Sequence, residues 1–345
     1  MASLYGTTWD TAIIGAGPAG GALAIDLATF GHKVLLIDKE RFPREKVCGD
    51  LLGTSALETL KKLGICEKVR RVGYELKRTR IYRRIEVRFL GAVHYPIVLQ
   101  KEHAARESTF ILERRILDSI LCEEAATKGA VFTTGKVTEI DAKDSSLAFV
   151  RIAGSDTPVR ARIAVIATGA DILLAEKLGM ITRKEATGFA ARCYIQSDFT
   201  MDEAAFYFDR YRNPSGYAWL FPMGNRMYNA GCGYLRCNQR IDLKKEFHSF
   251  LSEFDPAAEL LKHGKIASPL RGGSLRTGLA GSNPVGPGAV LAVGETIGTT
   301  RPTTGEGIGP AMWSAGIAAQ VINEVLRSGD IGLLKTYPER LVRQS

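Results

Sequence analysis

The chain has 345 residues, of which 45% are hydrophobic and 24% are charged, and this composition excludes a mainly disordered or collagen-like protein. The length suggests two domains, or one domain that carries a large insertion. The formal net charge is +9, and the segment from Arg70 to Arg88 holds eight basic and two acidic residues. Such a segment can bind nucleic acid, an anionic membrane or a phosphorylated ligand, or it can form a solvated face.

The sequence offers no signal for secretion, membrane insertion or metal binding. Residues 1–10 contain no basic start followed by an apolar run, so we expect a cytoplasmic protein with reduced cysteines. No stretch approaches the roughly eighteen consecutive apolar residues that suggest a membrane-spanning helix. The six cysteines form no Cys-x-x-Cys pair and the five histidines fall in no metal-ligand spacing, so we expect no metal site.

The first forty residues have the pattern of a dinucleotide-binding βαβ unit. An apolar strand over 11–14 runs into the Gly-rich turn 15–20 and a helix over 21–30, and a second apolar strand over 34–37 ends at Asp38. The three glycines of such a turn permit the bend, the approach of a pyrophosphate and close helix–strand packing. The helix N–H groups face the phosphates, and the acid accepts the ribose hydroxyls. A structural turn without ligand is the alternative, and the pattern alone does not separate FAD from NAD.

The remaining chain alternates strand–helix units with two β-rich stretches. In chain order, the patterns predict a helix over 55–63, strands over 80–98, a strand at 110–112, a helix over 114–127, a β-meander near 131–149, a strand over 163–169, strands over 187–234, a helix over 242–254, a strand over 289–293 and a helix over 309–326.

This order of elements predicts an α/β fold in which one discontinuous, doubly wound, Rossmann-like domain carries a second, β-sheet-rich substrate domain as insertions. The dinucleotide-binding domain is predicted to comprise residues 1–75, 105–175 and 271–345. The inserted substrate domain is predicted to comprise residues 76–104 and 176–270.

Five separated blocks of the sequence each contain a recognisable motif. They are residues 15–38, the loop Pro43-x-x-Lys46-x-Cys48-Gly49-Asp50, the helix start Arg114-x-x-Leu117-Asp118, the strand Gly216-Tyr217-Ala-Trp219-Leu-Phe221-Pro222, and the turn Gly294-Glu295-x-x-Gly298-x-x-x-Pro302-x-x-Gly305-x-Gly307-Ile308. Together they resemble the FAD-dependent geranylgeranyl reductase family, within the wider class of p-hydroxybenzoate-hydroxylase-like flavoproteins. The resemblance covers nearly the whole chain and implies that the dinucleotide is FAD.

The resemblance also implies where each block meets FAD. The first block holds the ADP half, the Cys48 loop lies beside the isoalloxazine, Arg114 helps to hold the cofactor, and Glu295 contacts the ribityl chain. The turn after Glu295 precedes a helix whose N-terminus could stabilise negative charge on the flavin, with a plain Gly-rich loop as the alternative. The residues expected to bind the cofactor are Gly15, Gly17, Pro18, Ala19, Gly20, Asp38, Lys39, Arg41, Cys48, Gly49, Arg114, Gly294, Glu295, Gly305, Gly307 and Ile308. Arg41 and Arg44 are expected to meet phosphate or ribose, with solvated surface as the alternative.

Two departures from the family pattern bear on function. Glu295 stands where the family usually has Asp, and it is longer by one methylene. Residues 167–171 read Ala-Thr-Gly-Ala-Asp where related aromatic hydroxylases carry an Asp-Gly motif that helps to position both cofactors. The second departure counts against a hydroxylase.

The activity implied by the resemblance is that of an FAD-dependent oxidoreductase that reduces C=C double bonds of a prenyl, geranylgeranyl-type chain on a lipid or polar head. Flavin would supply hydride, and Cys48 or an ordered water would supply the proton. Tyr217, Trp219 and Phe221 alternate along one strand, so they share a face and are expected to line a pocket for the apolar substrate. The structural alternatives are that Cys48 is a packed small residue and that the aromatic side chains fill a sheet core.

The expected partners follow from the same motifs. No second Gly-x-Gly-x-x-Gly motif provides a nicotinamide domain, so NAD(P)H or a small electron carrier would visit the flavin transiently. The alternatives are a flavin-dependent monooxygenase or halogenase acting on an aromatic substrate, and a non-catalytic FAD-fold protein that binds prenylated chains, as GDP-dissociation inhibitors do. No nucleic-acid module is visible, so nucleic acid is not expected. The basic segment, Arg70–Arg88, is expected to form a peripheral membrane contact, with a solvated face as the alternative.

Overall fold

The computed structural model describes residues 4–87, 91–102, 109–142, 147–235 and 241–343. Its strands are β1 (Thr8–Ile14), β2 (Val34–Asp38), β3 (Leu51–Leu52), β4 (Tyr74–Leu76), β5 (Arg78–Val87), β6 (Gly91–Glu102), β7 (Thr109–Ile111), β8 (Val131–Thr134), β9 (Val137–Asp141), β10 (Ala148–Ile152), β11 (Val159–Ile166), β12 (Gly188–Ser197), β13 (Glu203–Phe208), β14 (Gly216–Pro222), β15 (Met227–Leu235), β16 (Gly264–Ile266), β17 (Arg271–Leu275) and β18 (Val290–Ala292). Its α-helices are α1 (Pro18–Thr29), α2 (Thr54–Lys62), α3 (Cys66–Val72), α4 (Arg114–Thr127), α5 (Leu173–Lys177), α6 (Leu243–Glu253), α7 (Asp255–Lys262), α8 (Ile308–Ser328) and α9 (Tyr337–Arg343), and 3-10 helices cover Gly294–Ile297 and Ile331–Thr336.

The first sheet is mainly parallel and has the strand order β8-β2-β1-β11-β10-β9, with β18 also paired to β11. β8, β2, β1, β11 and β18 run in parallel, so their carboxyl ends share one edge. Every residue of β2 is buried, as expected for a strand that is covered on both faces. Helix α1 packs against α4 and α8. The α/β, Rossmann-like fold class predicted from the sequence is confirmed.

The second sheet has the order β16-β12-β15-β14-β13-β5-β6, with β17 also paired to β12, and most of its neighbouring strands are antiparallel. Side chains alternate between its two faces. Tyr207 and Leu220 belong to the hydrophobic core that also contains Phe250 of α6 and Phe254, the residue directly after α6. Phe206 and Trp219 lie on the opposite face, which lines a cavity. A third, small sheet has the order β3-β7-β4.

Some boundaries differ from the sequence prediction for local reasons. Helix α1 begins at Pro18 rather than at residue 21, because proline has no N–H to lose in the first helical turn and its φ already suits a helix. The β-rich stretch predicted over 80–98 corresponds to the antiparallel pair β5 (Arg78–Val87) and β6 (Gly91–Glu102). Strand β17 was predicted to lie in the nucleotide domain but pairs with β12 of the second sheet. The other domain boundaries expected from the sequence stay a prediction.

Within the described residues, the helices lack the combination of length and apolar character that crossing a membrane requires.

Candidate functional site

A cavity of about 1550 Å³ extends from the N-terminus of α1 to the aromatic face of the second sheet. The residues predicted from the sequence that line it are Gly15, Gly17, Pro18, Ala19, Asp38, Lys39, Arg44, Cys48, Gly49, Arg114, Tyr217, Trp219, Phe221, Glu295, Gly305, Gly307 and Ile308. The predicted residues Gly20, Arg41 and Gly294 are not part of its lining. The fold therefore brings the five separated sequence blocks to one cavity.

Two arginines frame the space above the first Gly-rich turn. A Cβ atom placed on Gly17 would lie 3.6 Å from Nη2 of both Arg44 and Arg114. Arg114 is held by Asp118 through Nε–Oδ1 and Nη2–Oδ2 contacts of 2.9 and 2.8 Å. Arg44 approaches the same carboxylate at 3.2 Å. Positioned guanidinium groups beside a helix N-terminus form a binding site for phosphate oxygens.

The other two glycines of this turn serve packing. Gly15 has a φ of 103°, in the left-handed region, and a Cβ there would lie 2.3 Å from the Ala167 carbonyl oxygen. A Cβ on Gly20 would lie 1.8 Å from the Gly15 carbonyl oxygen. These positions accept no side chain, because α1 must lie directly against the ends of β1 and β11.

Asp38 lies at the end of β2, where a ribose would be recognised. Its carboxylate accepts hydrogen bonds from the backbone N–H groups of Ala16 and Glu40, at 2.8 and 3.0 Å. Lys39 lies 3.9 Å from Asp171 across the cavity mouth. Arg41 is exposed to solvent and does not line the cavity, whereas Arg44 lines it. The phosphate or ribose contact expected of Arg41 and Arg44 stays a prediction.

The second Gly-rich block lies beside α1, and its residues Glu295, Gly305, Gly307 and Ile308 line the cavity. Gly294 has a φ of 68°, and a Cβ there would lie 2.8 Å from that of Ala19, so this glycine packs against α1. The Glu295 carboxylate accepts a hydrogen bond from the Arg276 backbone N–H at 3.2 Å. Burial raises the pKa of Glu295, and the positive charge of Lys46 opposes that rise. The turn then reaches Gly307, which immediately precedes α8.

Cys48 lies where the cofactor cavity meets the second sheet. Its sulfur accepts a hydrogen bond from the Asp50 backbone N–H at 3.3 Å. Burial raises the pKa of the thiol and the Asp50 carboxylate raises it further, whereas the Arg114 guanidinium lowers it. A thiol with a raised pKa stays protonated at neutral pH and can act as an acid.

The sheet side of the cavity is an aromatic wall, formed by Phe206, Phe208, Tyr217, Trp219 and Phe221. Adjacent ring centroids lie 5.0 to 6.2 Å apart. The Tyr217 hydroxyl donates to the Thr304 carbonyl, which ties the wall to the second Gly-rich block, and burial raises the pKa of Tyr217 to about 12. The three rings on β14 were predicted from the sequence, whereas the two on β13 were not.

The residues present fit a flavin dinucleotide. The space that a side chain on Gly17 would fill lies between two fixed cations, and Asp38 and Glu295 both contribute carboxylates to the lining of the cavity. The model of the family described as FAD binding domain matches residues 8–343. The digeranylgeranylglycerophospholipid reductase of Methanosphaerula palustris is 30% identical over 94% of this chain and 78% of its own length.

The chain belongs to the FAD-dependent geranylgeranyl reductase family.

Further comparisons agree with this assignment. A solved geranylgeranyl bacteriochlorophyll reductase-like protein from Thermoplasma acidophilum has a TM-score of 0.82 and 28% identity, over 98% of this chain and 83% of that protein. The menaquinone reductase of Mycobacterium tuberculosis is 29% identical over 91% of this chain and 76% of its own length. The predicted enzyme class of this geranylgeranyl reductase family member, an FAD-dependent oxidoreductase, is therefore confirmed.

Proposed function

We propose that this protein reduces C=C double bonds of a prenyl, geranylgeranyl-type chain attached to a lipid or another polar head. The observation that carries the proposal is the continuity of the cavity, which joins the phosphate-binding turn at Gly17 to the aromatic wall without an intervening element. An unsaturated hydrocarbon chain needs such an aromatic, apolar surface beside the cofactor. The names of the relatives from M. palustris and T. acidophilum support a prenyl substrate.

The side chains around the cavity have distinct proposed roles. Bound FAD, once reduced, supplies the hydride. Arg44 and Arg114 hold the pyrophosphate, and the aromatic wall holds the substrate chain and excludes water. Cys48 donates the proton that balances the hydride at the second alkene carbon, since burial keeps its thiol protonated. We propose NAD(P)H or a small electron carrier as the transient reductant.

A peripheral membrane contact is the finer proposal for the basic segment. Arg78, Arg80 and Arg84 pair with Asp202, Glu203 and Asp209 at 2.6, 3.0 and 2.9 Å. The exposed cations available for lipid headgroups in the described part of the segment are therefore chiefly Arg71, Lys77 and Arg83. Arg88 lies outside the described residues. We propose a cytoplasmic enzyme that meets the membrane surface through these three side chains.

A panel of substrates tests the proposed activity. The FAD-loaded protein is reduced with dithionite and incubated without oxygen with geranylgeranyl lipids and a prenyl quinone, and products are read by mass. We expect prenyl-chain products heavier by whole pairs of hydrogens. The alternative, a monooxygenase or halogenase, predicts no such product and instead a hydroxylated or halogenated aromatic when oxygen, halide and an aromatic substrate are supplied. The relatives from M. palustris and M. tuberculosis are both named reductases, which favours the first outcome.

A further inference from the structure

Asp50 is fully buried directly behind the Cys48 sulfur, and its backbone lies in the left-handed region with a φ of 62°. Few residues other than glycine, asparagine and aspartate adopt this conformation readily. The Asp50 N–H donates to the Cys48 sulfur at 3.3 Å. The geometry of the Cys48 thiol therefore depends on whatever holds Asp50 in this turn.

Three donors from three different elements hold the Asp50 carboxylate. Oδ1 accepts from the backbone N–H of Arg114 at 3.1 Å, at the start of α4. Oδ2 accepts from the Tyr194 hydroxyl of β12 at 2.8 Å and from Asn229 Nδ2 of β15 at 2.9 Å. Three donors to a buried carboxylate stabilise its negative charge and also hold the carboxylate in one orientation.

Asn229 extends this network to the Cys48 loop and to the aromatic wall. Its Nδ2 also donates to the Cys48 carbonyl at 2.9 Å, and its Oδ1 accepts from Trp219 Nε1 at 2.8 Å. One buried amide thus joins the backbone of the Cys48 loop to the aromatic wall. Three side chains position the Cys48 thiol relative to the aromatic wall. Asn229 does not line the cavity, whereas Asp50 and Trp219 do.

The charged and titratable groups around Asp50 come from each element packed against it. They are Cys48 on its own loop, Arg114 on α4, and Arg192 and Tyr194 on β12. The Arg192 guanidinium lies 4.1 Å from the centre of the Tyr194 ring and pairs with Glu45 at 2.8 Å. Burial raises the pKa of Asp50 to about 6, so its carboxylate is ionised at neutral pH.

The sulfur of Cys48 is a hydrogen-bond acceptor on its protein side. It accepts from the Asp50 N–H, and the positive charge of the Arg114 guanidinium lowers the pKa of the thiol. Cys48 also lines the cavity. The same Asp50 that supplies a donor also carries a negative charge that adds to the effect of burial in raising the pKa of the thiol.

We propose that Asp50 is a positioning residue for Cys48: its carboxylate, held by Tyr194, Asn229 and the Arg114 N–H, fixes the left-handed turn that presents a protonated thiol to the cavity. The catalytic meaning of this arrangement rests on the proposed function, but the arrangement itself is testable without turnover.

The pH dependence of Cys48 alkylation tests it. FAD-loaded wild type and Asp50→Asn are treated with iodoacetamide across pH, and modification of the Cys48 peptide is followed by mass. Asparagine tolerates the left-handed turn but carries no charge, so the midpoint of the alkylation profile should shift to lower pH and Cys48 should react faster at neutral pH. Asp26→Asn, which removes a buried carboxylate elsewhere, should leave the profile unchanged.

A profile for Asp50→Asn that coincides with wild type would overturn the proposal, as would a wild-type Cys48 that iodoacetamide does not reach. If Asp50→Asn fails to fold, Tyr194→Phe provides the second test. It removes one donor and keeps the ring beneath Arg192, so the turn should open more often and Cys48 should react severalfold faster at alkaline pH; an unchanged rate would refute the role. A protein that shows these shifts but reduces no prenyl lipid would retain the positioning role and lose the proposed function.

Discussion

Gly17 differs from the other glycines of its turn because its side-chain position is open. Its φ of −76° and ψ of −167° are accessible to any residue, and the nearest atoms to a Cβ added at this position would be the two guanidinium groups at 3.6 Å. A substitution here tests ligand space rather than backbone strain. The position therefore separates a pyrophosphate site from a merely structural turn.

We predict that Gly17→Val folds but retains little FAD, because the branched side chain would occupy the space between Arg44 and Arg114. Bound FAD is measured by absorbance after denaturation of the purified protein. Gly316→Ala is the matched control, since a Cβ on that α8 glycine meets nothing closer than 3.9 Å and should leave FAD content unchanged. Wild-type FAD content in Gly17→Val would refute the pyrophosphate assignment.

Cys48 is the residue on which the proposed chemistry depends. Cys48→Ala should keep FAD but reduce turnover of a geranylgeranyl lipid by on the order of 100-fold or more, which is what a general acid typically contributes. Turnover is measured as hydrogen pairs added per FAD per unit time. Cys66→Ala, at a partly buried cysteine of α3, should behave as wild type. Unchanged turnover in Cys48→Ala would exclude the thiol as the proton donor.

At the scale of elements, the contact between α1 and α8 contains an isolated carboxylate. Asp26 lies on α1 facing Gly316 of α8, and among the described residues its carboxylate has no hydrogen-bond or ion-pair partner. Burial raises the pKa of Asp26 from 3.8 to about 6. The folded state therefore binds a proton more tightly than the unfolded state, and ionisation of Asp26 destabilises the fold as the pH rises through this interval.

We predict that Asp26→Asn raises the free energy of unfolding by on the order of 2 kcal/mol above the folded-state pKa. The gain should shrink as the pH falls below about 6 and disappear near the unfolded-state value of 3.8. Urea unfolding at several pH values measures it. Asp156→Asn, at an exposed site, is the control and should show no such pH-dependent gain. A gain that does not vary with pH would contradict the assignment of the raised pKa.

An element was predictable from the sequence when its signal lies within a short stretch of neighbouring residues. β1, α1 and β2 were found because the Gly-rich turn, the apolar runs and Asp38 lie within one βαβ unit. The alternating aromatic residues on β14 likewise predicted a shared face. The network around Asp50 was not predictable, because Tyr194 and Asn229 are separated from it by 144 and 179 positions and show no local pattern. Only the folded arrangement of β12 and β15 brings them to the Cys48 loop.

At the scale of the whole molecule, fewer positive charges are free to bind an anionic partner than the sequence suggests. Three arginines of the basic segment are neutralised by acids of the second sheet or its loops. The membrane proposal is therefore confined to a few exposed cations. That restriction makes it easier to test than a diffuse charge effect would be.

We predict that replacing Arg71, Lys77 and Arg83 together by glutamine weakens binding to anionic vesicles by roughly 100-fold at low salt. The expected loss assumes about 1 kcal/mol for each cation near an anionic surface. Vesicle sedimentation with and without anionic lipid, at rising salt, measures the effect.

The matched control replaces three exposed cations elsewhere, Lys265, Arg327 and Lys335, by glutamine. Equal loss of vesicle binding in both triple variants would show that only net charge matters. Absence of binding by wild type would reject the membrane contact and leave a solvated face.

The central claim is that the cavity delivers a hydride equivalent to a prenyl chain. Its most direct test mixes the FAD-loaded protein, reduced anaerobically with just enough dithionite, with a geranylgeranyl lipid. We predict that the yellow absorbance of oxidised FAD returns without oxygen and that the lipid gains one pair of hydrogens for each FAD reoxidised. A reduced flavin that stays colourless until oxygen is admitted, with lipid of unchanged mass, would contradict the account.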